Sequence, residues 1–393
     1  MRLFNLACRL PLLRKGLWRQ SLAGDSRGDG GHVLCQRGEL ALAADFAPMT
    51  AKTHLTSELS TVANDEVVIH DGASVKQYLG LKPDTEYSFD GHDLRTLPQP
   101  GELLSTFTSV NDLHFGELEA GKIGGVDEWP SCSVEPGQEP YPELMNRGAV
   151  QEMTAIEPGL VVVKGDLTAE ARHEEYQRFL EVYEGEFGDR MLHVRGNHES
   201  YHRAPFAKDP FQERNLPGVT IALLDTSVEQ DPRGALDAER LDWLDELGQR
   251  SDRPVMVFGH HPVWEHAHRP EGKDTQSYFC LSPDSTEQLR QTFVRRPNLV
   301  GYFAGHTHRN RKLHLPGTTT RPFAELASVK EYPGAWAEYR VFDGGILQIH
   351  RRISTPEALR WSNTTRSMYA GLFMAEAFGE QISDRCFMIE LPQ

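Results

Sequence analysis

Five short motifs stand in fixed order along this chain: Asp112-Leu-His114, Gly165-Asp166, Gly196-Asn197-His198-Glu199, His260-His261 and Gly305-His306-Thr-His308. Each follows an apolar, strand-like run, namely 105–110, 160–163, 191–194, 255–258 and 299–303. Side chains that leave successive strands of a layered sheet at the same end collect along one edge. The order of the motifs therefore predicts that five sets of carboxylate, amide and imidazole groups share one site.

The intervening segments read as helices. Runs 169–183, 238–249 and 286–296 carry helical spacing, with Leu241, Leu244 and Leu247 on one buried face. Ser285-x-x-Gln288 reads as a capping box opening the last of them, and Pro297 closes it. Strands alternating with helices predict a layered α/β domain over 107–353. Asp343-Gly344-Gly345 turns a hairpin between 338–342 and 346–349, and a helix (356–378) and a strand (385–389) form an extension over 354–393. The Gly-, Pro- and Glu-rich stretch 116–146 reads as a substrate-facing loop.

The front of the chain differs. Residues 1–45 show no sustained periodicity and read as a disordered tail, without a secretory apolar core. Short β-type runs then define a small β domain over 46–106. Within it, Leu81-x-Pro83-x-Thr85-x-Tyr87 is similar to the corner of fibronectin type III modules, where a tyrosine hydroxyl bonds back to upstream backbone.

Charge limits the partners. The net charge is −16, but the first 38 residues hold seven Lys/Arg and two acids, leaving 34 basic against 55 acidic residues and a body near −21. Such a surface repels a phosphate backbone, so a nucleic-acid polymer is not an expected partner. No run approaches the roughly 18 apolar residues of a membrane span. Cys8, Cys35, Cys132, Cys280 and Cys386 are scattered without a C-x-x-C pair, which predicts free thiols and a cytoplasmic location.

The motif residues suit one kind of chemistry. Hydrolysing a phosphate ester at neutral pH needs an acidified water and neutralisation of the phosphoryl oxygens, and two metal ions a few ångströms apart supply both. Asp112 and His114 can project into one site, Asp166 is the natural bridging carboxylate, Asn197 offers a neutral oxygen, and His260, His306 and His308 add imidazoles. With 34 Gly and 17 His in the chain, G-H-x-H arises by chance about 0.06 times, and the four other motifs in order make coincidence rarer still.

On these residues the chain resembles the calcineurin-like metallophosphoesterase superfamily, whose pattern is D-x-H, G-D, G-N-H-D/E, H and G-H-x-H; the match covers about residues 107–310. The resemblance implies two mixed β-sheets flanked by helices, here preceded by the small β-sandwich-like domain. It implies one metal held by Asp112, His114, Asp166 and His308, and another by Asp166, Asn197, His260 and His306. It leaves His198 uncoordinated to assist the leaving oxygen, a task suited to imidazole. Purple acid phosphatases also pair a front β domain with this fold, but they carry D-x-G and G-D-x-x-Y where this chain has His114 and Ala169. The D-x-H branch, which includes cyclic nucleotide phosphodiesterases, is the better likeness.

From this follow the expectations for function: two divalent ions (manganese, iron or zinc) and attack of a metal-bridging hydroxide on a small phosphodiester such as a 3',5'-cyclic nucleotide. A phosphomonoesterase with the same core is the alternative, a nuclease or a non-catalytic scaffold the more distant ones. Family position favours His260 over its neighbour His261 as a ligand, while His261, His202 and Arg309 are candidates to touch substrate. Arg203, His266 and His268 crowd the same loops, and Trp129, Tyr201 and Trp264 are candidates to stack on a base. Oligomeric state stays open, with the β module a candidate dimerisation element.

Overall fold

The computed structural model describes residues 57–121, 131–265, 279–318, 320–371 and 374–392. The tail 1–45 lies outside them, as do Trp129, His266 and His268.

Two six-stranded mixed sheets form the body. The first runs in the order Met191–Val194, Val161–Lys164, Leu103–Val110, Ala335–Phe342, Gly345–Arg352, Phe387–Glu390. Its first three strands are parallel and the rest antiparallel. The second runs Phe211–Leu216, Val219–Leu224, Val255–Gly259, Leu299–Ala304, Phe323–Glu325, Arg311–Leu313, with four parallel strands between antiparallel edges.

Because strand side chains alternate between faces, every central strand must be apolar on both sides. Val162 faces its counterparts Ile221, Met256 and Phe258 across the inter-sheet core. Phe107 stacks on Tyr339 there, with ring centres 4.6 Å apart. Val161 and Val163 turn outward beneath helices Tyr141–Thr154 and His173–Phe179. Leu241, Leu244, Leu247, Leu289 and Phe293 bring helices Ala238–Arg250 and Pro283–Arg295 onto the outer face of the second sheet.

Four local readings are corrected. Helix Tyr141–Thr154 begins inside the stretch expected to be loop; it buries Asn146, which donates to Leu113 O at 3.1 Å, so no apolar stripe marks it. The helix expected from Ala169 starts at His173, because Ala171 takes φ +56°. The next cap is Ser282, whose hydroxyl accepts from Ser285 N–H at 3.1 Å, so the helix opens at Pro283 rather than beyond Ser285. The run 356–378 is divided into Pro356–Thr365 and Met374–Phe378, with a 3-10 turn, Met368–Gly371, between them.

At the front, strands Glu58–Val62, Glu66–Asp71 and Ser74–Leu79 form an antiparallel sheet, covered by the hairpin Glu86–Phe89/His92–Arg95 through Tyr87, Phe89 and Leu94. Tyr87 Oη accepts from Lys82 N–H at 3.0 Å, five residues upstream, as a tyrosine corner requires. The expected boundary at 106 falls inside Leu103–Val110, a strand of the first large sheet. The small unit is keyed to the body: Thr61 Oγ1 donates to His350 O at 2.7 Å, and Arg352 and Arg351 reach Glu58 and Glu66 at 2.7 and 2.6 Å. Cys132, Cys280 and Cys386 are buried free thiols. Among the described residues no helix is long and apolar enough to cross a membrane.

Candidate metal centre

All five motifs leave their strands at one edge of the sandwich. Asp112 and His114 follow Leu103–Val110, Asp166 follows Val161–Lys164, and Asn197 and His198 open the short helix Asn197–Tyr201 after Met191–Val194. From the facing sheet come His260, after Val255–Gly259, and His306 and His308, after Leu299–Ala304. Four groups of three side chains have donor atoms within 4.8 Å of one another: Asp112/His114/His308, Asp112/Asp166/His260, His114/Asp166/His198 and His260/His261/His306.

The backbone is bent hard to achieve this. Asp112, His114, Asp166, His306 and His308 all take positive φ, between 49° and 68°. Non-glycine residues adopt that region at a cost and persist in it where surrounding structure holds them, as at functional sites. The glycines do a different job. A Cβ on Gly196 would lie 2.1 Å from Asp166 Oδ1, and one on Gly165 2.7 Å from His260 Nδ1. Only Gly165 of these two has a positive φ, so close approach, more than a sharp strand exit, is what Gly196 provides.

Four of the seven ligand candidates are almost wholly buried, Asp112 and His260 at 0% exposure, Asp166 at 1% and His114 at 3%, while Asn197, His306 and His308 are partly exposed. Burial pushes the Asp166 carboxyl up, but His260 and His198 outweigh it and hold it well below the usual carboxylate range. Burial likewise opposes charge on His260, yet Asp166 and Asp112 raise it to about 9; Glu331 and Asp112 raise His308 to about 10 in the same way. Burial lowers His114 to about 4 and His306 to about 3.

Hydrogen bonds fix which nitrogen faces inward. His260 Nδ1 donates to Lys164 O at 2.8 Å, turning Nε2 to Asp166 Oδ2 at 3.3 Å. His308 Nδ1 donates to Glu331 Oε1 at 2.6 Å, leaving Nε2 3.6 Å from Asp112 Oδ1. His198 Nδ1 donates to Ala169 O, and its backbone N–H reaches Asp166 Oδ1 at 3.0 Å.

Donor atoms that face one another without a hydrogen between them test whether cations fit. The amide atom of Asn197 that points into the group lies 2.9 Å from His260 Nε2, 2.8 Å from His306 Nδ1 and 3.2 Å from both Asp166 oxygens. Once His260 has given up its Nε2 proton, as a metal ligand must, lone pairs from three side chains converge on one point; an oxygen there then needs a cation beside it, whereas the amide turned round would donate to the same atoms. His114 Nε2 and His306 Nε2 are buried with no hydrogen bond. Such nitrogens are costly unless something ligates them. Two carboxylates, an amide oxygen and four imidazoles form a donor set that suits a pair of divalent ions.

The neighbouring candidates divide. His261 Nδ1 bonds Thr226 Oγ1 at 2.9 Å, while its buried Nε2 has no hydrogen bond and lies in the His260/His306 group. Arg309 turns to Glu325, with contacts of 2.8 and 3.2 Å, rather than presenting its guanidinium at the metal edge. His202 caps the helix carrying His198 and sits exposed against Tyr201, itself 41% exposed. Glu117, Lys330 and Glu331, which back His114 and His308, belong to no motif. No local signal marks them.

Residues 105–310, more than half of the chain, match the family model described as calcineurin-like phosphoesterase. The chain belongs to this family. Membership implies a binuclear metal centre, and the motif residues above lie within the matched span. A probable glycerophosphodiester phosphodiesterase GpdQ of Arcobacter nitrofigilis is 34% identical over 169 residues, 39% of this chain and 57% of that protein. The glycerophosphodiester phosphodiesterase GpdQ of Enterobacter lignolyticus is 27% identical over 51% of this chain and 69% of its own length. A probable cyclic nucleotide phosphodiesterase of Psychrobacter arcticus is 24% identical, over 53% and 76%. The match thus spans little more than half the length of the first of these relatives.

Proposed function

We propose that the chain is a metal-dependent phosphodiesterase of small organic phosphodiesters, a glycerophosphodiester or a 3',5'-cyclic nucleotide. One observation carries the reading: Asp166, His306 and, once deprotonated, His260 direct lone pairs at the Asn197 amide inside a family whose curated relatives here are named phosphodiesterases. Asp112, His114, Asp166 and His308 would hold one ion, and Asp166, Asn197, His260 and His306 the other. Manganese, iron and zinc all suit this mixed oxygen and nitrogen set, with availability deciding among them. When bound, such a pair supplies a nucleophilic water at neutral pH and neutralises the phosphoryl oxygens.

The chain's own groups do the rest. Asp166 is shared between the two sets and fixes their spacing. Asn197 adds no charge, which leaves room for an anionic phosphate. His198, half-exposed with Nε2 turned toward Asp166, delivers the Nε2 proton of its imidazolium form to the departing alkoxide, Nδ1 keeping its own hydrogen on Ala169 O. The acidic body and the free thiols support a small substrate and a reducing, cytoplasmic setting rather than a nucleic-acid polymer.

The test is turnover by manganese-loaded protein of bis-p-nitrophenyl phosphate, p-nitrophenyl phosphate, cyclic AMP and a glycerophosphodiester. Diester hydrolysis exceeding monoester hydrolysis is expected. Monoester preference would make the protein a phosphatase, and no turnover with two ions bound would remove the enzymatic reading.

A further inference from the structure

Behind the first candidate metal position lies a buried charge network that no motif announces. Lys330, 4% exposed, places Nζ 2.8 and 2.7 Å from the two oxygens of Glu117 and 3.6 Å from Glu331 Oε2. Each carboxylate faces the outer nitrogen of a different histidine. Glu331 Oε1 accepts from His308 Nδ1 at 2.6 Å, and Glu117 Oε2 lies 3.0 Å from His114 Nδ1, at an angle short of an aligned hydrogen bond. The inner nitrogens point the other way: His308 Nε2 is 3.6 Å from Asp112 Oδ1, and His114 Nε2 3.5 Å from Asp166 Oδ2.

A carboxylate on the outer nitrogen of an imidazole holds the hydrogen there and turns the lone pair of the inner nitrogen toward a metal. Two such carboxylates close together repel unless a cation lies between them, and an unpaired buried charge is expensive. Lys330 is that cation. It is itself held in place from outside: Trp361 Nε1 donates to Lys330 O at 2.9 Å, and Tyr332, two residues on, reaches Glu58 of the front module.

We infer that Lys330 is a positioning residue for the ion held by Asp112, His114, Asp166 and His308: by joining Glu117 to Glu331 it orients both histidines of that position and neither of the other. This rests on the two-metal reading above. Lys330 touches no reacting atom, and its effect is on the occupancy of one position out of two.

The full chain, stripped of metal with a chelator, is titrated with Mn2+ in a calorimeter, beside Lys330→Met, Lys330→Arg and His114→Ala. Two binding steps are expected in the wild type, and the step abolished in His114→Ala identifies the first position. That same step is expected to weaken roughly 10- to 100-fold in Lys330→Met, with the other within about twofold and Lys330→Arg intermediate. Equal weakening of both steps overturns the proposal, since general loosening would produce it, and so does unchanged binding. If Lys330→Met does not fold by circular dichroism, Glu331→Gln is read by the same criteria. A wild type that binds no ion at all overturns the metal-centre reading itself, and this assignment with it.

Discussion

His198 Nδ1 lies 2.6 Å from the carbonyl oxygen of Ala169, so its hydrogen is committed there and Nε2, 4.0 Å from Asp166 Oδ2, is the nitrogen left to take up and deliver a second one. Position 169 is where a purple acid phosphatase would carry its tyrosine ligand; here the backbone carbonyl of that residue accepts from the imidazole proposed as the acid. Replacing His198 with Gln is expected to lower kcat roughly 100- to 10,000-fold while leaving two ions bound. The loss should be larger for an alkyl diester than for bis-p-nitrophenyl phosphate, whose leaving group departs without a proton. Equal losses on both substrates would remove His198 as the acid.

Loading of the centre should release protons. In the metal-free protein Asp166 and Asp112 hold His260 near 9, and Glu331 with Asp112 holds His308 near 10, both above the ordinary histidine value. A group raised in this way carries its proton at pH 7 and stabilises the metal-free fold fully below pH 6.5, losing that contribution as pH climbs through 9 and 10. Ions must displace both protons, so apparent affinity rises with pH and levels off above about 10. Calorimetry in buffers of different ionisation enthalpy near pH 7.5 should find about two protons released per pair of ions; none released would contradict the charge arrangement.

Arg309 tests a rival reading of the G-H-x-H motif. Its guanidinium pairs with Glu325, which is 3% exposed and also accepts from Thr307 Oγ1 at 2.5 Å. Arg309→Met leaves Arg311, 3.7 Å away, as the one cation paired with that carboxylate among the described residues, and should cost about 3 kcal/mol of stability with KM unchanged. A raised KM at unaltered melting temperature would return Arg309 to the substrate.

The seam between front module and body should be sensitive to acid. His70 is buried, bonded to Ser60 Oγ at 2.6 Å and Ser354 Oγ at 3.0 Å; burial first, then Arg352 and Arg366, lowers it to about 3. His350, bonded to Ser60 O, is held well below the ordinary value by burial and Arg385. A depressed histidine stays neutral in the fold while the unfolded chain takes up a proton below 6.5. Its contribution is therefore present above pH 6.5 and lost as pH falls, for His70 down to about 3 and by up to about 1.4 kcal/mol per pH unit. Urea melts of wild type and His70→Gln between pH 7 and 4.5 should diverge, the variant falling less steeply; parallel slopes would rule His70 out.

The ligand candidates were readable because each lies in a short motif at the end of an apolar strand, so residue type and strand end are both local properties of the chain. The fold draws together the donor atoms of Asp112, His114, Asp166, Asn197, His260, His306 and His308, and beside them those of His198 and His261. The Tyr87 corner was readable for the same reason, its bond closing within five residues. Helix Tyr141–Thr154 was not, because its buried face includes polar Asn146 and only tertiary packing gives it a side.

By itself, then, the sequence determined the alternation of strands and helices, the edge at which the motifs emerge, and the kinds of donor gathered there. Tertiary structure alone decided which nitrogen of each imidazole faces inward, that Arg309 is spent on Glu325, and that Lys330 meets Glu117 across 213 residues of chain. The physical reason is one of range. Strand patterns and caps are settled between near neighbours, whereas the balance of a buried charge depends on whichever groups folding brings beside it, however far along the chain they lie.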